Sequence, residues 1–144
     1  MLTREQIEAM IPHQGDMCLW DEVTSWNAQR VHLRAHNHVN PDHPLRSHGQ
    51  LRALHLCEYG AQAMAVHGGL RAQENGTRAR GGFLVALRGV QLHMARIDLL
   101  PGMLECEAEV LVESEASQQY VFRIHHGGTR LAEGRASVML RDAL

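Results

Sequence analysis

The sequence predicts an α+β fold in which an antiparallel sheet wraps around one long central helix. Three observations carry that expectation. The chain order reads helix, two strands, one long helix, then four strands, with turn signals between the strands. The middle turns of the long helix carry apolar or small residues on every side, which leaves no solvent face. That helix is also rich in Gly60, Ala61, Ala63, Ala65, Gly68 and Gly69, which let a curved sheet come close. With 144 residues, the chain forms a single domain, 1–144, and is too short for two comfortable cores.

Residues Thr3 to Met10 open as a short helix, with Thr3 as N-cap, Glu5 and Gln6 close behind, and Pro12 as the stop. Two strands follow, Met17 to Val23 and Arg30 to His36, joined by a reversal at "SWNAQ". In the second, Val31, Leu33 and Ala35 alternate with polar residues. Residues Asn37 to Gly49 hold Pro41 and Pro44 without a consistent period, and read as a loop. The long helix spans about Gln50 to Leu70 and is expected to end at Gly68 and Gly69. After a polar loop from Glu74 to Gly82 come four strands: Gly82 to Met94, Met103 to Ser114, Gln118 to His126 and Thr129 to Leu140. A partner subunit is expected to cover what a single chain leaves exposed.

Composition removes several function classes. The formal net charge of −2, spread over the chain, lacks the basic footprint of a nucleic-acid binder. No apolar run approaches the ~20 residues needed to span a bilayer, and "MLTREQIEAM" lacks a signal-peptide core, so a cytoplasmic protein without a membrane role is expected. All fourteen basic residues are arginine, which excludes a lysine Schiff base or a P-loop lysine. Cys18, Cys57 and Cys106 are far apart and form no C-x-x-C pair; they read as small buried hydrophobes. Histidines crowd the region of His32, His36, His38, His43, His48 and His55. Two of them alternate with Leu33 and Ala35 as solvent-side strand residues do, and no H-E-x-x-H is present, so neither a metal nor another cofactor is expected. Arg71, Arg78, Arg80, Arg88 and Arg96 could form a positive patch for an acidic partner, or could be scattered solvated residues.

One residue stands out. Glu58 lies within the apolar run from Leu54 to Val66, downstream of His43, His48 and His55. A carboxylate buried without a partner favours its protonated form, as a general acid requires, and a histidine is a suitable base near neutral pH. Such a pair suits removal of an activated proton and protonation of a leaving hydroxyl. The alternative from spacing alone is an ion pair between Glu58 and an arginine such as Arg52, with the histidines on the surface.

Four segments in order carry a family resemblance. "IPHQGDMCLWDEV" is similar to L-P-H-R-x-P-x-L-x-x-D-x-V at Pro12, His13, Leu19, Asp21 and Val23. "EYGAQAM" is similar to E-A-x-A-Q-A at Glu58, Ala61, Gln62 and Ala63; "LLPGM" keeps a P-G turn at Pro101 and Gly102; and "GGTRLAEGRASVML" is similar to a closing D-G-x-x-x-x-x-A strand. Together they resemble the hotdog-fold 3-hydroxyacyl-(acyl carrier protein) dehydratases of fatty-acid synthesis, nearly end to end. "PHQGDM" and "EYGAQAMAVHG" most resemble the ApeP-like dehydratases associated with aryl polyene pathways.

The resemblance implies a dimeric enzyme, homo- or heteromeric, acting on a 3-hydroxyacyl group held on an acyl carrier protein. It implies catalysis by a loop histidine and a helix carboxylate from opposite subunits. Glu58 matches the carboxylate; His43 in "PDHP" matches the histidine best, and His48 is the second candidate. The glycine whose amide faces the thioester oxygen falls on Ala53, and Gln62 either orients Glu58 or satisfies a buried backbone group. His13 is read as structural. The altered loop and the missing P-G at Arg52 and Ala53 also admit a weakly active subunit that completes a site with a second hotdog chain. A hotdog thioesterase using Glu58 with water is a third reading.

Overall fold

In the computed structural model, which describes residues 1–77 and 81–141, seven strands form one antiparallel sheet. The elements are β1 (Leu2–Thr3), α1 (Arg4–Glu8), β2 (Glu22–Trp26), β3 (Arg30–Ala35), α2 (Leu56–Glu74), β4 (Gly82–Leu92), β5 (Leu104–Glu113), β6 (Ser117–His126) and β7 (Thr129–Leu140). Their order across the sheet is β1-β2-β3-β5-β6-β7-β4, with α2 packed on its inner face against β5, β6, β3 and β7. The expected architecture of a sheet around one helix is therefore present. Trp20, Tyr59, Tyr120, Phe122, Leu56 and Ile124 are among the fully buried side chains between the two layers.

Glycine sets the closest approach. A Cβ at Gly60 on α2 would stand 2.6 Å from the Phe122 ring, and one at Gly134 on β7 would stand 2.9 Å from it. The ring is thus held between two positions where only hydrogen fits. On α1, Thr3 caps the helix as expected, with its side chain accepting from the Gln6 amide and the Gln6 side chain accepting from the Thr3 amide.

Three expectations need correction. The strand placed at Met17–Val23 starts only at Glu22 and runs on to Trp26. Cys18, Leu19 and Trp20 are buried, but Leu19 has side-chain partners: its amide donates to Gln62 Oε1 (2.9 Å) and its carbonyl accepts from Asn37 Nδ2 (2.8 Å). The long helix begins as a short 3-10 turn, Ala53–His55, because the amides of Leu51 and Ala53 are held by Asp98 and the Ala95 carbonyl. It also passes Gly68 and Gly69 and ends at Glu74. Gly69 packs on Met10, where a Cβ would come to 3.0 Å, so it serves close packing and not termination.

The strand β4 occupies one sheet edge and pairs only with β7 among the described residues. Phe83, Leu84, Val85, Leu87, Val90 and Leu92 on it are all exposed. Of the arginines considered as a patch, Arg71 is held by both oxygens of Glu113 and Arg96 by Asp98, whereas Arg88 is exposed on β4; Arg78 and Arg80 lie outside the described residues. No helix is long and apolar enough to cross a membrane among the described residues.

Candidate active site

Glu58 lies in the first turn of α2, where helical spacing places it on the same face as Ala61, Ala65 and Gly68. These residues line a cavity of about 410 Å³ together with Leu84, Val138 and Leu140 from the sheet and Met10, Pro12 and His13 from the N-terminal segment. That volume falls within the ~300–1,000 Å³ typical of small-molecule sites. The expectation that Glu58 is enclosed is not met within one chain: its side chain keeps 37% exposure.

Its geometry is nevertheless fixed. Gln62, one turn on and fully buried, donates from Nε2 to Glu58 Oε1 (3.0 Å) and to the Met17 carbonyl (2.8 Å), while its own Oε1 accepts from Leu19. Gln62 therefore bonds both to Glu58 and to the backbone of the Met17–Leu19 segment. His13 Nε2 approaches the same Oε1 at 3.5 Å. Sequence reasoning assigns His13 no part in this site. The proximity follows from α1 and the tight loop after it, where Gln14 Nε2 donates to the Glu8 and Ile11 carbonyls.

His43 is elsewhere. It is 5% exposed, its Nδ1 accepts from the Leu45 amide (3.1 Å), and its Nε2 meets Tyr59 Oη at 3.0 Å. Tyr59 in turn donates to Asn37 Oδ1 at 2.7 Å. The amide on Nδ1 puts the ring proton on Nε2, so both nitrogens are engaged within the chain. Burial, reinforced by Arg46, pushes the imidazole down to about 4. The structure does not bring His43 and Glu58 of the same chain together: neighbouring residues on α2, Glu58 and Tyr59, point to different places. Tyr59 carries no signal in the sequence that marks it for this role.

His48 is exposed at a tight turn, with φ of 52° followed by 74° at Gly49, closed by the paired Ser47 and Gln50 backbone bonds of 2.9 and 3.0 Å. Ala53 does not offer a free amide: its N–H donates to the Ala95 carbonyl at 3.0 Å. An oxyanion-binding role for that particular N–H is therefore corrected. At the cavity wall, Tyr120 donates to His67 Nδ1 (2.7 Å), and His67 Nε2 donates to the Asn27 carbonyl (2.8 Å). Among the described residues no three or more His, Cys, Asp or Glu are grouped to hold a metal ion; His32 stands beside Glu107 (3.6 Å) and His36 beside Asp21 (3.1 Å).

Solved structures share this fold. The dehydratase heterocomplex ApeI:P from Xenorhabdus doucetiae superposes with a TM-score of 0.83 at 22% identity, covering 99% of this chain and 93% of that one. AziG of S. sahachiroi gives a TM-score of 0.62 at 15% identity over 83% of this chain and 89% of that one. A hypothetical thioesterase with coenzyme A from Streptococcus pneumoniae TIGR4 gives 0.61 at 11% identity over 83% and 84%. At these identities the likeness shows the fold, which is the hotdog fold. No curated protein sequence matches the chain. The family described as ApeP-like, ApeP dehydratase, matches residues 5–144, which takes in all but the first residue of α1, the His13 loop, the Glu58 helix and every strand from β2 to β7. The chain belongs to the ApeP-like dehydratase family.

Proposed function

We propose that the protein dehydrates 3-hydroxyacyl thioesters on acyl carrier protein to trans-2-enoyl thioesters, in fatty-acid or aryl polyene type biosynthesis, and that it contributes the carboxylate half of the site. The observation that carries this reading is Glu58, held by Gln62 at the mouth of an apolar cavity. The α C–H bond breaks with its proton passing to a base, the C3–O bond breaks with a proton from Glu58, and water leaves as the C2–C3 double bond forms. The apolar cavity lined by Ala61, Ala65 and Leu84 suits the acyl tail.

The histidine base comes from a second hotdog chain. Both nitrogens of this chain's His43 are engaged, and the Ala53 amide is bonded to Ala95, so this chain is better furnished for the acid than for the base. The exposed apolar edge strand β4 supports such a partner, since a long hydrophobic strand paired on one side only offers its other edge to another chain. The similar Xenorhabdus protein is a dehydratase heterocomplex, which agrees with a heteromeric arrangement.

The test assays the chain alone and co-expressed with its partner on a 3-hydroxyacyl carrier substrate. Glu58→Gln is expected to lower turnover by roughly 10²–10⁴-fold. Near-wild-type turnover in that variant would overturn the reading, and release of free acid in place of the enoyl thioester would establish a thioesterase.

A further inference from the structure

We infer that His13 is a positioning residue for Glu58: with Gln62 it occupies Oε1 and leaves Oε2 as the oxygen that meets the substrate. This rests on the reading of Glu58 as the acid. Gln62 Nε2 donates to Oε1 at 3.0 Å and His13 Nε2 stands 3.5 Å from the same atom, whereas Oε2 has no hydrogen-bond partner among the described residues. A carboxyl fixed through one oxygen keeps its plane and presents the other, which is how an acid is aimed at a leaving hydroxyl. The 3.5 Å separation is long for a hydrogen bond, and such contacts close when substrate fills the site.

The ring itself shows a direction. His13 Nδ1 is buried without a partner. A proton there would be a buried donor with no acceptor, whereas a proton on Nε2 faces Glu58. The loop that carries His13 is braced on either side of it: Gln14 Nε2 donates to the Glu8 and Ile11 carbonyls, and Arg4 donates to the Gly15 carbonyl at 2.7 Å. One donor from α2, Gln62, and one imidazole nitrogen from the α1 loop, His13, thus lie at the same oxygen.

The experiment has two arms. In the first, His13→Leu and His13→Gln are assayed in the partner complex with a 3-hydroxyacyl N-acetylcysteamine thioester. His13→Leu is expected to lower kcat by roughly 10- to 100-fold with KM nearly unchanged, and His13→Gln, which keeps a donor of similar reach, to recover most of it. Unchanged kcat in His13→Leu, a loss confined to KM, or no recovery in His13→Gln would overturn the inference. In the second arm, ¹⁵N spectra of the His13 ring need no turnover. The Nε2–H tautomer is expected in the wild type, with a changed tautomer balance in Glu58→Leu. A ring indifferent to that substitution, or protonated on Nδ1 in the wild type, would overturn it. If the wild type does not dehydrate, the proposed function fails and the ring spectra alone decide the role of His13.

Discussion

Glu58 and Tyr59 are adjacent on one helix and serve two regions of opposite character. Around Glu58 the structure is open: a cavity of about 410 Å³, an exposed carboxyl, and one oxygen without a partner among the described residues. Around Tyr59 it is closed. His43, Tyr59 and Asn37 form a continuous hydrogen-bonded series that ends on the Leu19 carbonyl, and Trp20 Nε1 donates to the Tyr59 carbonyl at 2.8 Å. A side chain prepared to react keeps an unmet valence toward a space, and a side chain that holds a fold has its polar atoms satisfied. Within one chain, Glu58 keeps an oxygen without a partner among the described residues while both ring nitrogens of His43 are engaged, and under the proposed function this makes Glu58 the group that reacts.

Substitutions can break this contrast, and the largest expected effects fall on Glu58 itself, whose replacement by Gln removes the acid and leaves the fold. Equal melting temperatures with the loss of turnover given above would establish that separation. Next comes Gln62, which belongs to both regions. Gln62→Leu strands the buried Leu19 amide, at about 1–3 kcal/mol, and also frees the Met17 carbonyl and Glu58. Denaturant unfolding and kcat should therefore both drop; loss of only one would show that Gln62 serves only one region.

Much of this is legible in the sequence, for reasons that can be named. Glu58 is visible because a carboxylate in an apolar helix breaks the pattern, and β5 to β7 are visible because their alternation is sustained and their turns are marked by glycine or serine. The Cys18–Trp20 stretch misleads because a buried apolar run looks like a strand whether its backbone bonds go to a neighbouring strand or to Gln62 and Asn37. Gly69 looks like a stop because sequence does not show Met10 lying against it. His13 and Tyr59 have no legible role because their meaning lies in partners distant along the chain, Glu58 for one and His43 for the other.

A third way to sharpen the contrast is pH. Burial depresses His43 from 6.5 to about 4, so the folded state resists a proton that the unfolded state accepts. Stability is complete above pH 6.5 and falls as pH drops toward 4, by on the order of 3 kcal/mol from this group. His38 and His67, lowered in the same direction by burial, add to the slope. In His43→Gln the slope of unfolding free energy against pH should flatten; an unchanged slope would show that His43 is already accessible to protons. The smallest effect is expected from Tyr59→Phe, which removes one hydroxyl between His43 and Asn37 and should cost about 1–3 kcal/mol of stability with little change in kcat.

The most direct measurement compares Glu58→Gln and His43→Gln, each made in this chain only and assayed in complex with the partner on a 3-hydroxyacyl carrier substrate. If this chain supplies the acid and its partner the base, Glu58→Gln loses roughly 10²-fold or more of turnover while His43→Gln stays within a few-fold of wild type. Loss of turnover in a folded His43→Gln complex, with Glu58→Gln still active, would contradict the account.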